Sequence, residues 1–384
     1  MKKLFVILAI LILFFSSLYN VYAEENKDFD SAISDVISGI NEEDFKDITD
    51  YLNEILNQNL SFKDILISFL TGDGGLSFNQ IIASISGSFT GIISSVKEVL
   101  TYVLFIGIFC TLLNIINCKN NGNNDKNAIY FICYSLVVVL SVKLIDVVFS
   151  TSYLAIEKMI KIVDGAFPTL LTLSEFSGGF GSSVFKPMSY IVSVFSSAIV
   201  NSLLFPILKA SATCVIVGNL STTVKLDNLK KSLLSFTKWS LGIITIAFTV
   251  FLTAQSFVNM QYNGISFKIL KYATGSIIPI VGGFISGGMD VLLSSAILVK
   301  NSFGLMLVFY VFLSVGSAGF TVLIISFILK FAVSVCEPIL DERFVKLLSG
   351  IGEVFSSLTA VIFICGFSYV LVCFSLINST ALIL

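Results

Sequence analysis

From Leu305 to Leu329 the chain runs without a single charged residue. Such a stretch has few possible fates. A helix of about 20 apolar residues crosses a ~30 Å hydrocarbon core, and a helix can satisfy its own backbone polar groups where no water is present. Other largely apolar runs lie at 99–116, 128–149, 187–205, 240–258 and 351–377. Together they predict an all-α, polytopic helical membrane protein with six spans. Two further Gly/Pro-broken segments bring the membrane segments to about six to eight. Hydrophobic residues make up 55% of the chain and charged ones 12%, against roughly 25% charged in a soluble domain.

The chain opens "MKKLFVILAILILFFSSLYNVYAEE", with two lysines, an apolar run and Val21-Tyr22-Ala23 before Glu24. This pattern predicts a signal peptide over 1–23, cut after Ala23; the alternative is an uncleaved first membrane helix. Residues 24–96 hold 13 acidic residues against three lysines, whereas 97–384 hold 12 acidic and 18 basic ones. Basic residues are retained on the cytoplasmic side, so the asymmetry predicts an exported N-terminal region.

Within 24–76 the apolar positions Phe29, Ala32, Ile33, Val36, Ile37 and Ile40 fall on one helix face. So do Phe45, Ile48, Leu52, Ile55 and Leu56, after Asn41 and an acidic first turn. Ser61-Phe62-Lys63-Asp64 resembles a capping box for a third short helix. Three small amphipathic helices bury little on their own, so they should pack on a partner, a membrane surface or the remaining chain; the alternative is a mostly self-packed soluble cap. Residues 77–384 form the polytopic domain, whose lysine-rich loop (Lys225, Lys230, Lys231, Lys238) marks the cytoplasmic side.

Several functions are excluded by what the residues lack. There is no histidine, hence no histidine-based triad, metal site or pH switch. The seven cysteines sit in or beside apolar runs with no C-x-x-C pair, and Arg343 is the single arginine. Neither a zinc site nor a nucleic-acid groove is expected. No phosphate loop, nucleophile elbow or carboxylate pair is present. The expectation is therefore no catalytic residue, no cofactor and no metal.

The stretch "IIPIVGGFISGGMDVLLSSAILVKNSFG" (277–304) holds Pro279, Gly282, Gly283, Gly287, Gly288, Asp290 and Lys300. Broken membrane helices expose backbone groups that can bind ions or line a pore, and a charge at depth marks a polar path or partner. Close packing explains Gly283 and Gly287 as a Gly-x-x-x-Gly face equally well. Lys300 is expected to snorkel at a helix end. An upstream stretch echoes this one: 178–202 and 282–302 both open Gly-Gly-Phe and close Ser-Ser-Ala-Ile then Asn-Ser. Paired broken segments are a mark of duplicated transporters, which makes Gly178 and Gly179 weaker candidates. Lys143 and Asp146, three apart, are either a snorkelling lysine with its counter-ion or a buried pair. Residues 150–182, with Pro168, are expected to lie in the interface or re-enter rather than span; Pro206 leads into a stretch that is either a continued kinked helix or a half-span, and 330–350 is expected to be amphipathic and charged.

The block "IPIVGGFISGGMDVLLSSAILVKNSFG", with "FPTLLTLSEFSGG", "PILKASATCVIVGNLS" and "CEPILDERF", resembles the stage III sporulation protein AE family of spore-forming Firmicutes. The likeness covers essentially the whole chain, although 24–75 matches in kind only. The resemblance implies a multi-pass component of the mother-cell-derived membrane around the forespore. It also implies partnership with other stage III A sporulation proteins and, indirectly, stage II sporulation protein Q in a channel or secretion-like complex. The lipid bilayer and a second copy of the chain are further expected contacts. Three roles stay open: platform or conduit of that complex, autonomous secondary transporter using 178–182 and 279–290, and assembly scaffold.

Overall fold

The computed structural model describes residues 36–71 except 38, 41 and 57–58, isolated positions from 97 to 109, and 123–176, 185–220, 226–277, 281–338 and 342–377. For 123–131, 185–189, 254–277 and 281–293 it gives the backbone path alone. The expected signal peptide and most of the expected span at 99–116 lie outside the described residues. Among the described residues there is no strand.

A 3-10 turn over Glu42–Phe45 leads into α1 (Lys46–Leu56), and α2 follows over Phe62–Thr71. The capping box forms as the sequence predicts: Ser61 Oγ accepts from the Asp64 N–H at 3.2 Å, and the Ser61 N–H donates to Asp64 Oδ2 at 3.2 Å. Asn53 holds the connection between the two helices, accepting from the N–H of Leu60 and donating to its carbonyl. The long helices are α3 (Asn123–Phe176), α4 (Phe185–Ile199), α5 (Phe205–Leu220), α6 (Asp227–Ile277), α7 (Val281–Cys336) and α8 (Glu342–Ile377).

Five stretches of these helices are long and apolar enough to cross a membrane: Tyr134–Glu175, Tyr190–Asn219, Asp227–Phe251, Ser294–Val335 and Glu342–Ile377. This is a polytopic helical membrane protein. The runs at 128–149, 240–258, 305–329 and 351–377 each fall in one of these helices, and 187–205 runs from α4 to the first residue of α5. At ~1.5 Å per residue, α3, α6 and α7 are each about 75–85 Å long. That is nearly twice a bilayer of about 40–45 Å with its headgroups.

Three sequence expectations are corrected. The second span does not end at 149: α3 continues unbroken to Phe176 with Pro168 inside it. Proline removes one i−4 hydrogen bond, and the helix survives because Ala166, Phe167 and Leu170 around it are buried against neighbouring helices. The segment 330–350 is not one amphipathic unit; a turn at 337–338 divides it, and Glu342 opens the last helix. The backbone is helical through Gly282, Gly283, Gly287 and Gly288, so the described part of that stretch contains no break. At Pro206 the structure takes the kinked continuation. A π-helical turn over Val200–Leu204 joins α4 to α5, closed by the Phe205 N–H donating to the Val200 carbonyl. The wider turn gives the proline ring room where a regular α-turn would clash.

The centre of the molecule is α7, apolar all round and packed on α8, α3, α6 and α2. It pairs antiparallel with α8 through small residues. A methyl at Gly366 would come within 2.5 Å of Val315, and one at Gly319 within 3.0 Å of Phe363. Toward the turn, Ser326 Oγ donates to the Gly352 carbonyl at 2.8 Å. Such close backbone approach is how helices associate in lipid. An ion pair at 2.9 Å between Lys230 and Glu353 ties α6 to α8.

The N-terminal helices pack on the rest of the chain. Phe45 and Phe62 stack at 4.9 Å and both meet Phe303 of α7 edge-on, at 5.0 and 5.8 Å. Tyr51 meets Tyr310 and Phe69 meets Phe309.

Candidate functional site

The inward face of α3 brings one acid into the bundle, Asp164. Phe167, one turn on, stacks its ring on Tyr190 of α4 at 4.1 Å, which holds the Tyr190 hydroxyl toward the Asp164 carboxylate. Tyr369 of α8 turns its hydroxyl to Ser193 and Ser197 of α4 and feels the Asp164 charge. The Tyr190 hydroxyl is hydrogen-bonded to the Asp164 carboxylate, and that of Tyr369 to Ser193 and Ser197, while Asp164 Oδ1 is buried with no partner of its own. Ser197 donates its proton to the Val194 carbonyl at 2.9 Å, so it meets Tyr369 as an acceptor.

The backbone adds to the oxygens. Pro168 has no N–H, so the carbonyl of Asp164 loses its usual i+4 donor. Asn201, one turn beyond Ser197 in the π-helical turn, also buries an unpartnered Oδ1. Its counterpart in the echoing stretch, Asn301, does the same. Buried polar groups are nearly always hydrogen-bonded, so each of these orphans calls for an explanation. π-turns are also frequent at functional sites.

A second polar feature lies on α7. Lys300 is fully buried, and its Nζ donates to the carbonyl of Ile377, the last residue of α8, at 2.9 Å. The expectation of a snorkelling end-marker is thus corrected: Lys300 caps the free carbonyl end of α8. Gly304, one turn along, lies against Ile377 with no room for a side chain.

The other sequence candidates are dispersed. Gly178, Gly179 and Pro279 lie outside the described residues. Gly282, Gly283, Gly287, Gly288 and Asp290 have a helical backbone on α7, and the Asp290 side chain lies outside the described positions. Lys143 and Asp146 are both exposed on α3, and no ion pair joins them to each other or to another described residue. Sequence reasoning missed Asp164. Its signal was available in "IKIVDGAFPTLLTL": one acid in an apolar turn, four residues before a proline.

Comparison with known proteins places the whole bundle. The family model of stage III sporulation protein AE matches residues 60–380. Stage III sporulation protein AE of Bacillus subtilis (strain 168) is 24% identical over 281 residues, covering 73% of this chain and 70% of that protein. No solved structure matches the chain.

Proposed function

Because the chain belongs to the stage III sporulation protein AE family, and so has a role in sporulation, we propose that it is a non-enzymatic membrane subunit of the channel assembly between mother cell and forespore. It serves there as platform or conduit in the membrane around the forespore. Other stage III A proteins are its direct partners, and stage II sporulation protein Q an indirect one.

The observation that carries this reading is the seating of the N-terminal helices on α7. Phe45 and Phe62 meet it at Phe303, while its far end is Cys336. At ~1.5 Å per residue these points are about 50 Å apart along the helix, farther than a bilayer of about 40–45 Å. A helical unit fixed on one side of the membrane and a charged turn on the other is what a platform needs to join components across it.

The test is affinity purification of the tagged full chain from sporulating cells. Other stage III A proteins should co-purify. They should be lost when Phe45→Asp and Phe62→Asp unseat the N-terminal helices while the protein still accumulates in the membrane. An intact protein that recovers none of them would overturn the assignment. The secondary-transporter reading is favoured by one observation, the Asp164 cluster, and predicts instead that Asp164→Asn stops sporulation with all partners still bound.

A further inference from the structure

We propose that the outward face of α3 is where two copies of this chain meet, side by side about a two-fold axis along the membrane normal. Copies inserted the same way round allow no other two-fold axis, so their α3 helices run parallel. The inference stands independently of the channel assignment.

The face is a continuous seam. Ile132, Leu136 and Val139 are 59%, 49% and 65% exposed. Lys143, Asp146, Ser150 and Tyr153 carry on the same alternating steps of four and three residues, and all are exposed. Helices that wind round one another repeat at this interval. The opposite face of α3 is already covered: Tyr134 meets Phe344 of α8 at 5.1 Å and Phe149 meets Phe205 of α5 at 6.2 Å. Tyr153 leans edge-on against Phe205 and keeps 41% of its surface free.

Lipid alone does not cover this seam. α3 and α8 run in the same direction, with Tyr134 at Phe344 and Asp164 near Tyr369. Nine residues beyond Tyr134 and Phe344 stand Lys143 and Glu353, and Glu353 pairs with Lys230 of α6. α5 descends from Phe205 at Phe149 to Val215 at Gly350 of α8, which brings Lys209 to this level too. If the level lies in the hydrocarbon, Lys143 and Asp146 face lipid at a cost. If it is the headgroup layer beside the lysine-rich loop, as the lysines favour, then Ile132, Leu136 and Val139 project past the lipid as apolar surface in water. Either placement calls for protein on this face.

The charges name the occupant. No described residue pairs with Lys143 or Asp146. Lys209 is likewise exposed and unpaired, Glu353 is taken by Lys230, Lys330 donates to Ser356 at 2.5 Å, and Lys97, in the segment before α3, is exposed without an ion pair. A second copy supplies both partners. In a parallel pair each Lys143 comes within three residues of the other copy's Asp146, an axial step of about 4.5 Å that a lysine side chain spans. Two reciprocal ion pairs close, and the four charges sum to zero. Only a surface that carries both signs complements itself across a two-fold axis in this way, and a lysine at one seam position also fixes register and copy number.

The experiment co-expresses two differently tagged full chains, solubilises the membranes in mild detergent and captures one tag to detect the other. Wild-type copies should capture one another. Capture should be lost between two Lys143→Asp copies and between two Asp146→Lys copies. It should return when one copy carries Lys143→Asp and the other Asp146→Lys, since only the mixed pair opposes unlike charges. A mixed pair no better than the like pairs overturns the interface, as does capture indifferent to all these changes or a wild-type chain that captures no second copy. Should the charge variants fail to accumulate, cysteines decide the matter. In a chain cleared of its native cysteines, Val139→Cys should give a disulfide-linked dimer in oxidised membranes, while Ile246→Cys, at a position 64% exposed on α6, should not. Failure of Val139→Cys to link copies overturns the proposal. Its linking within one chain to Phe105→Cys overturns it in favour of the apolar run 99–116.

Discussion

Lys300 shows how a single side chain can take on a role its local sequence does not announce. Flanked by apolar residues ten positions from Asp290, it has the look of an end-marker. Its actual partner is a carbonyl 77 residues later in the chain, and no periodicity within a window could reveal that. Replacing it by methionine leaves helix-end carbonyls without a donor and should cost about 1–3 kcal/mol. Replacing it by glutamate sets a negative charge against the negative end of α8 and should cost more. Thermal unfolding of the purified protein in detergent should rank the midpoints wild type, then Lys300→Met, then Lys300→Glu. A snorkelling lysine would leave all three alike. By contrast the Ser61–Asp64 capping box was legible because all its partners lie within four residues.

Among the elements, α1 carries the clearest dependence on pH. Its Tyr51 packs edge-on against Tyr310 and reaches Ser314 and Ser317 of α7. Burial, reinforced by nearby Glu54, pushes the Tyr51 hydroxyl up to about 12 from 10.0. The folded state therefore favours the neutral phenol. Its contribution is complete below pH 10, where the unfolded group is also neutral, and is lost as pH climbs from 10 through 12. The slope is at most about 1.4 kcal/mol per pH unit. Hydrogen exchange of residues 42–71 should quicken in that window for wild type, and Tyr51→Phe should remove the dependence assigned to this group. Helix lengths were harder to foresee than helix positions. Pro168 and the charges Glu157, Lys158 and Lys161 suggested an interfacial segment, because neither pattern shows that α4 and α7 cover the other face of α3 and hold it straight.

For the molecule as a whole, the apolar runs located each of the five membrane helices among the described residues, since a run without charge has few alternatives. They could not give the height of the bundle, which depends on how far packed helices continue past the lipid. Nor could they bring together Asp164, Ser193 and Tyr369, contributed by three helices far apart in sequence. The separation along α7 predicts a two-sided labelling pattern. A single cysteine at 63, in a chain cleared of its native cysteines, should react with an impermeant maleimide on intact protoplasts. One at 346 should react only after permeabilisation. Equal reactivity of both positions on intact protoplasts would place the N-terminal helices and the 337–338 turn on the same side.

The contact of Phe45 with Phe303 also sets the order in which this protein can be made. The two rings are about 250 residues apart, and at about 5–20 residues per second the first waits on the order of ten seconds to a minute for the second. During that time the apolar faces of α1 and α2 lack their partner on α7. The latch of Lys300 on Ile377 closes later still, when the last helix has been inserted. A chain cut short before Ile377 would lack both the latch and the cover for Gly304, so the close approach of these two helix ends cannot form until Ile377 is in place.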